Sequence, residues 1–498
     1  MSKPNILLIT SDQMRADAMG CSGNPDVKTP HLDRLAQSGV CFTNAFTPDP
    51  ICVQARASIT TGCYPHRCTG FKDNKGAIRA GFPLLGEELN QRGYRTYALG
   101  KLHYLPYTPP GEKRTTYGIE TVELAESGRI VQKYDPYGCL KGLEDYHDYL
   151  YTVGWGGYTR GHGLGNNDIF AAASPIPEEY YVDAWVADRT IYHLERHLEG
   201  QPDTPFFLWM SFPKPHSPYD PPRPYDSMYD PRSISPPVGD FSKIQNRGLD
   251  FFVREYFNHM WDKVSPEAKR VIKAHYYGLV SFQDRQIGRV LDFLEAKGLR
   301  EDTIIIYTAD HGDMLGDFGL FFKRNFYNGS VRIPFIVSYP RRVAAGRISR
   351  ELVGLQDILP TLMSLTGTPL HRPVDGEDLT PVLEGHDSSI REYYVGQCMD
   401  HPQQQYMVVD GEWKYIYHQL GGVEELYNQL QDPHELNNLA DSKDAPIKVV
   451  RHRMREYLRQ WCIENGDQSM LENGELVVYP REEFKIPQPG GVFGRRYY

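Results

Sequence analysis

The sequence predicts an α/β protein with a large, mostly parallel sheet flanked by helices, followed by a smaller C-terminal α+β unit. Three observations carry this. Strand-like and helix-like segments alternate from residue 5 to about 345, the pattern of a doubly wound sheet. Four runs, NILLITSD, RTYALGK, FFLWMSF and TIIIYTAD, are short, apolar and rich in β-branched or aromatic residues, as buried parallel strands are. Beyond a composition shift near residues 370–390, the segments YMVVD and EWKYIYHQ are joined by Asp410-Gly411, a strong hairpin signal.

Taken in order, the first run ends at Asp12 and the second at Lys101, with His103 close behind. The stretch 105–180 is rich in Gly, Tyr and Pro, includes GWGGYTRGHGLGNND and lacks a period, so an irregular functional insertion is expected there. Residues 185–198 carry Val186, Ala187, Thr190, Ile191, Leu194 and Leu198 at helical spacing. The third run is followed at once by His216, in a Pro-rich segment (213–240) expected to be irregular. Residues 267–298 repeat the helical period and stop near Gly298, ahead of the fourth run, which ends at Asp310 and His311. We divide the chain into a catalytic α/β domain, 1–385, and an α+β subdomain, 386–498, whose last residues (IPQPGGVFGRRYY) read as an extended tail.

In open α/β sheets, ligands sit outside the carboxyl ends of the strands. A single Asp after a strand is usually a helix cap. Four strand ends carrying Asp, Lys, His, Asp and His have complementary chemistry, and together they point to a site for a metal and an oxyanion.

Bulk properties narrow the partners. The 498 residues carry a net charge of −10, which argues against a nucleic-acid partner but not against a small anion in a locally cationic pocket. No apolar run approaches transmembrane length, so no membrane partner is expected. The first strand begins by Asn5 with no leader-like segment ahead of it, which gives a cytoplasmic reading. The eight cysteines (21, 41, 52, 63, 68, 139, 398 and 462) are scattered and read as thiols rather than a disulfide frame.

The most specific segment is Cys52-Val53-Gln54-Ala55-Arg56, followed by Thr61-Gly62. It resembles the signature of type I sulfatases, C-x-P-x-R followed by T-G, in which the cysteine is oxidised to formylglycine (3-oxoalanine). GYRTYALGKLHY resembles the second sulfatase signature, and DQMRADAMGCSG and KTPHLDRLAQSGVCFTNAFTP resemble the family's opening. TADHGDMLGDFG resembles its metal motif and KRNFYNGSVRIPFIV the segment after it, while EELYNQLQDPHELNNLA resembles its C-terminal domain. The chain is thereby identified as resembling a type I sulfatase of the alkaline phosphatase superfamily, with an alkaline-phosphatase-like fold. It departs from the pattern at Gln54, where the family has proline in the segment that the modifying enzyme reads.

The resemblance implies hydrolysis of a small anionic sulfate monoester, carbohydrate or aryl. A hydrated aldehyde at position 52 would supply one hydroxyl to attack sulfur and another to expel sulfate. It implies one divalent cation held by Asp12, Asp310, His311 and the modified Cys52, with the amide oxygen of Gln13 as a further candidate. Calcium comes first, with magnesium or manganese as alternatives. Arg56 and Lys101 would steady the nucleophile and the developing charge. Lys323 would clamp the sulfate, His103 would act as base and His216 as acid. The implied partner is a formylglycine-generating or radical maturation enzyme, and a homo-oligomer is left open. Three alternatives stand: a phosphonate monoester or phosphodiester hydrolase of the same superfamily, a choline-sulfatase-like enzyme, and a silent binding protein with unmodified Cys52. Tyr is frequent (34 residues), and Trp155 with the Gly/Tyr-rich insertion favours a carbohydrate substrate.

Overall fold

The computed structural model describes residues 3–109, 111–126, 141–244, 247–367, 370–386 and 388–481. Cys139 and the tail expected at 486–498 lie outside the described residues.

The main sheet is built from Asn5–Asp12 (β1), Val40–Phe46 (β2), Arg95–Gly100 (β3), Thr121–Leu124 (β4), Phe206–Pro215 (β5), Thr303–Ala309 (β6), Phe335–Ser338 (β7) and Arg347–Gly354 (β8). Their order is β4-β3-β5-β1-β6-β7-β2-β8, parallel throughout except for β7, which is antiparallel to both neighbours. The four apolar runs are therefore four adjacent interior strands, β3, β5, β1 and β6. β5 and β6 are buried at every position, so both faces of the sheet are covered and an alternating pattern is not needed.

Register fixes what these strands deliver. Gly100 lies opposite Ser211, Ser211 opposite Thr10, and Ser11 opposite Ala309. Lys101, His216, Asp12 and Asp310 thus leave the same edge of the sheet. Gly100 has φ 105°, and a Cβ there would collide with the Ser211 carbonyl, so the close approach of β3 to β5 at this edge needs glycine.

The expected helices form as Val182–Gly200 and Pro266–Ala296. They pack on each other and on β5. The stretch 105–180 is more regular than expected. β4 extends the main sheet beside β3, and a helix spans Asp145–Thr152. Four residues of strand pinned by pairing, and by Asp145 Oδ2 accepting from the Leu124 amide (2.7 Å), carry too little period to be read from sequence.

The helix Pro30–Gln37 also packs on Pro266–Ala296. Its first turn is satisfied from outside: Asp284 accepts from the amides of His31 (3.1 Å) and Leu32 (2.8 Å). Burial pushes the Asp284 carboxyl up to about 7, against those two amides. Between roughly pH 4 and 7 the folded carboxyl keeps a proton that the unfolded chain has released. This contribution to stability is full below pH 4 and is lost as pH rises through 7. Measured as melting temperatures, the advantage of wild type over Asp284→Asn is expected to shrink from pH 5 to pH 8. An unchanged or growing advantage would contradict it.

A second, antiparallel sheet contains Tyr394–Cys398 (β9), Gln405–Val409 (β10), Trp413–His418 (β11) and Val423–Asn428 (β12), in the order β12-β11-β10-β9. The Asp410-Gly411 signal sits at the β10–β11 hairpin, with Gly411 at φ 93°. The helix Ala445–Glu464 packs on β10 and β11, closing a core of Tyr406, Val408, Tyr415, Leu458 and Trp461. Buried Lys414 joins this sheet to the segment between β6 and β7 by donating to the Phe326 carbonyl (2.9 Å), and it also donates to Glu435 (2.5 Å). No helix among the described residues is long and apolar enough to cross a membrane.

Candidate active site

Cys52 is the first residue of the helix Cys52–Thr61, which is buried on every side. The helix ends at Gly62, whose φ of 68° lets its amide close back on the Ser58 carbonyl (2.8 Å). Its N-terminal amides, and with them the positive end of the helix dipole, therefore face position 52. Asp12, Cys52, Asp310 and His311 converge here, with ligand atoms all within 4.8 Å of one another and each residue buried. Cys52 Sγ lies 3.1 Å from His311 Nε2 and 3.9 Å from Asp12 Oδ1. His311 Nδ1 lies 2.9 Å from the Gly312 carbonyl, so Nδ1 carries a proton and Nε2 is the ring nitrogen that faces the cluster.

Cations surround the quartet. Arg56, one helical turn after Cys52, is fully buried and held at every nitrogen. Nε donates to Asp310 Oδ2 (2.9 Å), Nη1 to the Lys101 carbonyl (2.5 Å) and Ser211 Oγ (2.8 Å), and Nη2 to Asp12 Oδ2 (3.5 Å). Lys101 pairs with Asp12. Lys323 Nζ reaches Gln13 Oε1 at 2.5 Å. Burial alone would raise the Asp12 carboxyl, but Lys101, Arg56, Lys323 and His311 hold it well below the usual carboxylate range. Burial and Asp12 push the Cys52 thiol up, yet Lys323, Lys101 and His311 outweigh them and bring it to about 6. The pocket thus stabilises negative charge at position 52.

The remaining expected residues lie around this centre. Gln13, with φ 68°, donates its backbone amide to Asp310 Oδ1 (3.1 Å) and its side-chain amide to Asp313 Oδ2 (2.6 Å). Its amide oxygen faces Lys323 rather than the quartet. His216 is buried just beyond β5, with Nδ1 2.8 Å from the Ser217 carbonyl, which leaves Nε2 as the second ring nitrogen. His103 is half-buried at φ 51°, and its backbone amide donates to Glu126 Oε1 (2.8 Å).

Two supporting residues escaped the sequence reading. Ser211, the polar member of FFLWMSF, braces Arg56 and the Lys101 carbonyl. Asp313, two residues beyond His311, holds Gln13 and the Tyr219 hydroxyl (2.6 Å), and its other oxygen takes the amides of Leu315 and Phe322. A polar residue inside an otherwise apolar strand, and a third acid in TADHGD, were the available signals.

The sulfatase family model matches residues 4–368, and a model of the N-sulphoglucosamine sulphohydrolase C-terminal region matches residues 316–463. The chain is 32% identical to an arylsulfatase of Clostridium perfringens, over 97% of this chain and 99% of that protein. It is 29% identical to a choline-sulfatase of Rhizobium meliloti, over 96% and 91% respectively. Among solved structures it resembles the phosphonate monoester hydrolase of Agrobacterium radiobacter, with a TM-score of 0.78, 26% identity and coverage of 93% and 96%. With the family model spanning most of the chain, the protein belongs to the sulfatase family and is a sulfuric ester hydrolase.

Proposed function

We propose that the protein is a formylglycine-dependent sulfatase cleaving a sulfate monoester of a carbohydrate or aryl alcohol. The observation that carries this reading is the buried meeting of Cys52 with Asp12, Asp310 and His311 at the start of a helix. Cys52 is 1% exposed, so its conversion by a formylglycine-generating or radical maturation enzyme would have to precede burial. In the mature protein an oxygen of the modified side chain would stand where Sγ stands here. We further propose that residues 1–385 act as the catalytic domain and 386–498 as a subdomain.

The donor set fits a divalent cation: two carboxylates, an imidazole lone pair and an oxygen at position 52. When bound, the cation would lower the pKa of a hydroxyl at position 52 and neutralise ester oxygens. Oxygen-dominated ligation favours calcium, with magnesium or manganese as alternatives. The Gln13 amide oxygen would join the set only if Lys323 turned to the substrate.

The chain's own groups account for the rest. Arg56 is fixed by four contacts and would present charge without reorganising, as an oxyanion site requires. Lys101 would steady the hydroxyls at position 52 beside Asp12, and Lys323 would bind a sulfate oxygen. Cleavage of the ester S–O bond leaves an alkoxide, which would take its proton from His216 Nε2. His103 would remove a proton in the step that releases sulfate.

His216 should matter in proportion to the leaving group's need for a proton. General acid catalysis contributes roughly a hundred- to ten-thousand-fold. His216→Ala is expected to lose that factor in kcat/KM on a sugar sulfate and far less on nitrophenyl sulfate, whose phenolate leaves unprotonated. Equal losses on both would make His216 a residue that binds the sulfate or supports the site, and would reassign the acid role, with Lys323 the first candidate.

The likeness to a phosphonate monoester hydrolase favours a second reading, in which a phosphonate monoester or phosphodiester is the substrate. Parallel kinetics on aryl sulfate, aryl phosphonate monoester and aryl phosphodiester test the two. The sulfatase reading expects the sulfate to be preferred, and a preference for either phosphorus ester would overturn it.

A further inference from the structure

Next to Lys323, and tied by Gln54 to the helix that begins at Cys52, three distant segments bring together charged side chains that the reaction does not use. Arg324, next to Lys323, pairs with Asp73 (3.1 Å), and Lys75 pairs with Asp400 (2.7 Å). Asp400 follows β9 of the second sheet, and its Oδ1 also accepts from the Lys72 amide at 2.9 Å. The cluster therefore joins residues 72–75, Arg324 and the turn after β9. The side chains of Asp73 and Asp400 are about a third exposed (31% and 30%), whereas the catalytic quartet is sealed. A sulfate group would occupy the buried end, so the leaving group must lie where solvent begins.

Gln54 links this rim to the nucleophile. Its amide nitrogen donates to the carbonyls of Asp73 and Lys75 (2.8 Å for the second), and its amide oxygen accepts from Thr69 Oγ1 (2.8 Å). The residue that departs from the family's proline thus straps segment 69–75 onto the first turn of the Cys52 helix. Beneath the rim, Asp49 is fully buried and neither carboxylate oxygen meets a nitrogen or oxygen donor. Burial, then Asp73, push its carboxyl up, while Arg324 opposes them.

We infer that Arg324, Asp73 and Asp400 form the leaving-group subsite, that it takes a polyhydroxylated, carbohydrate-type alcohol, and that Gln54 is its positioning residue. The inference rests on the sulfatase reading of the same site. Planar guanidinium and carboxylate groups of alternating sign suit the donor and acceptor roles of neighbouring hydroxyls. A quaternary ammonium alcohol such as choline would require open aromatic faces. Here one face of the Phe251 ring is already taken by Arg324 (5.6 Å) and one face of the Phe71 ring by Lys75 (5.0 Å).

The test compares kcat/KM for glucosamine-6-sulfate, choline sulfate and nitrophenyl sulfate. Arg324→Gln and Asp400→Asn are each expected to lower the ratio of sugar to nitrophenyl ester about tenfold or more, mainly through KM. Gln54→Ala should lower it less, and adding it to Asp73→Asn should change little, because Gln54 acts through that segment. Equal losses on sugar and nitrophenyl esters, no loss on either, or a wild-type preference for choline sulfate would overturn the subsite. If wild type turned over no sulfate ester, the sulfatase reading would fail instead. Calorimetric binding of glucosamine-6-sulfate would then decide the subsite: weaker binding by Arg324→Gln supports it, and equal or absent binding overturns it.

Discussion

Asp310→Ala is expected to empty the proposed metal site rather than weaken it slightly. Asp310 is fully buried, and its two oxygens serve different tasks: Oδ2 takes the Arg56 guanidinium, and Oδ1 takes the amides of Gln13 and His311. Removing it deletes an anionic ligand and leaves Arg56 with one less counter-charge in a sealed pocket. Changes to groups that merely support metal ligands cost roughly 10–100-fold in affinity. Loss of a charged ligand should exceed that, with sulfate ester turnover falling alongside. Breaking a buried ion pair costs about 3–5 kcal/mol, so Asp310→Asn, which keeps the shape, separates lost metal from lost fold. Metal analysis after dialysis is the check. Undiminished metal in a folded Asp310→Ala protein would remove Asp310 from the ligand set. Gln13→Ala should cost less, since a neutral amide carries no charge to the cation.

Cys52→Ala is expected to reduce sulfate ester hydrolysis by about four orders of magnitude or more, the scale at which loss of a covalent nucleophile is felt. The thiol is buried and contacts His311 and Asp12, but no network of hydrogen bonds hangs on it. Its removal should therefore leave the melting temperature nearly unchanged. That combination, folded and inactive, distinguishes a nucleophile from a packing residue. Full activity in Cys52→Ala would leave Lys101, Arg56 and the metal ligands as the catalytic set and require another nucleophile.

Much of this centre was legible because its residues follow directly on apolar, β-branched strands. Asp12, Lys101, His216 and Asp310 stand at strand ends, and the contiguous order β3-β5-β1-β6 brings those ends side by side. The sheet order itself could not be read, because periodicity carries no information about which buried strands pair. β7, at four residues, gives no sign of running antiparallel to its neighbours. Ser211 was hidden by its apolar surroundings, and Gln54 looked like a defect in a motif although its hydrogen bonds make it a strap. The Arg324–Asp73 pair was hidden for another reason. Its two residues are far apart in sequence and meet only in the folded chain.

The central claim is that turnover depends on an aldehyde at position 52. The measurement that reaches it most directly is mass spectrometry of the peptide containing Cys52, taken from active protein made in its native host. The account predicts a peptide lighter by the difference between a thiol and an aldehyde, in a fraction that rises in step with specific activity on sulfate ester. Fully active protein in which every Cys52 peptide carries a free thiol would contradict it.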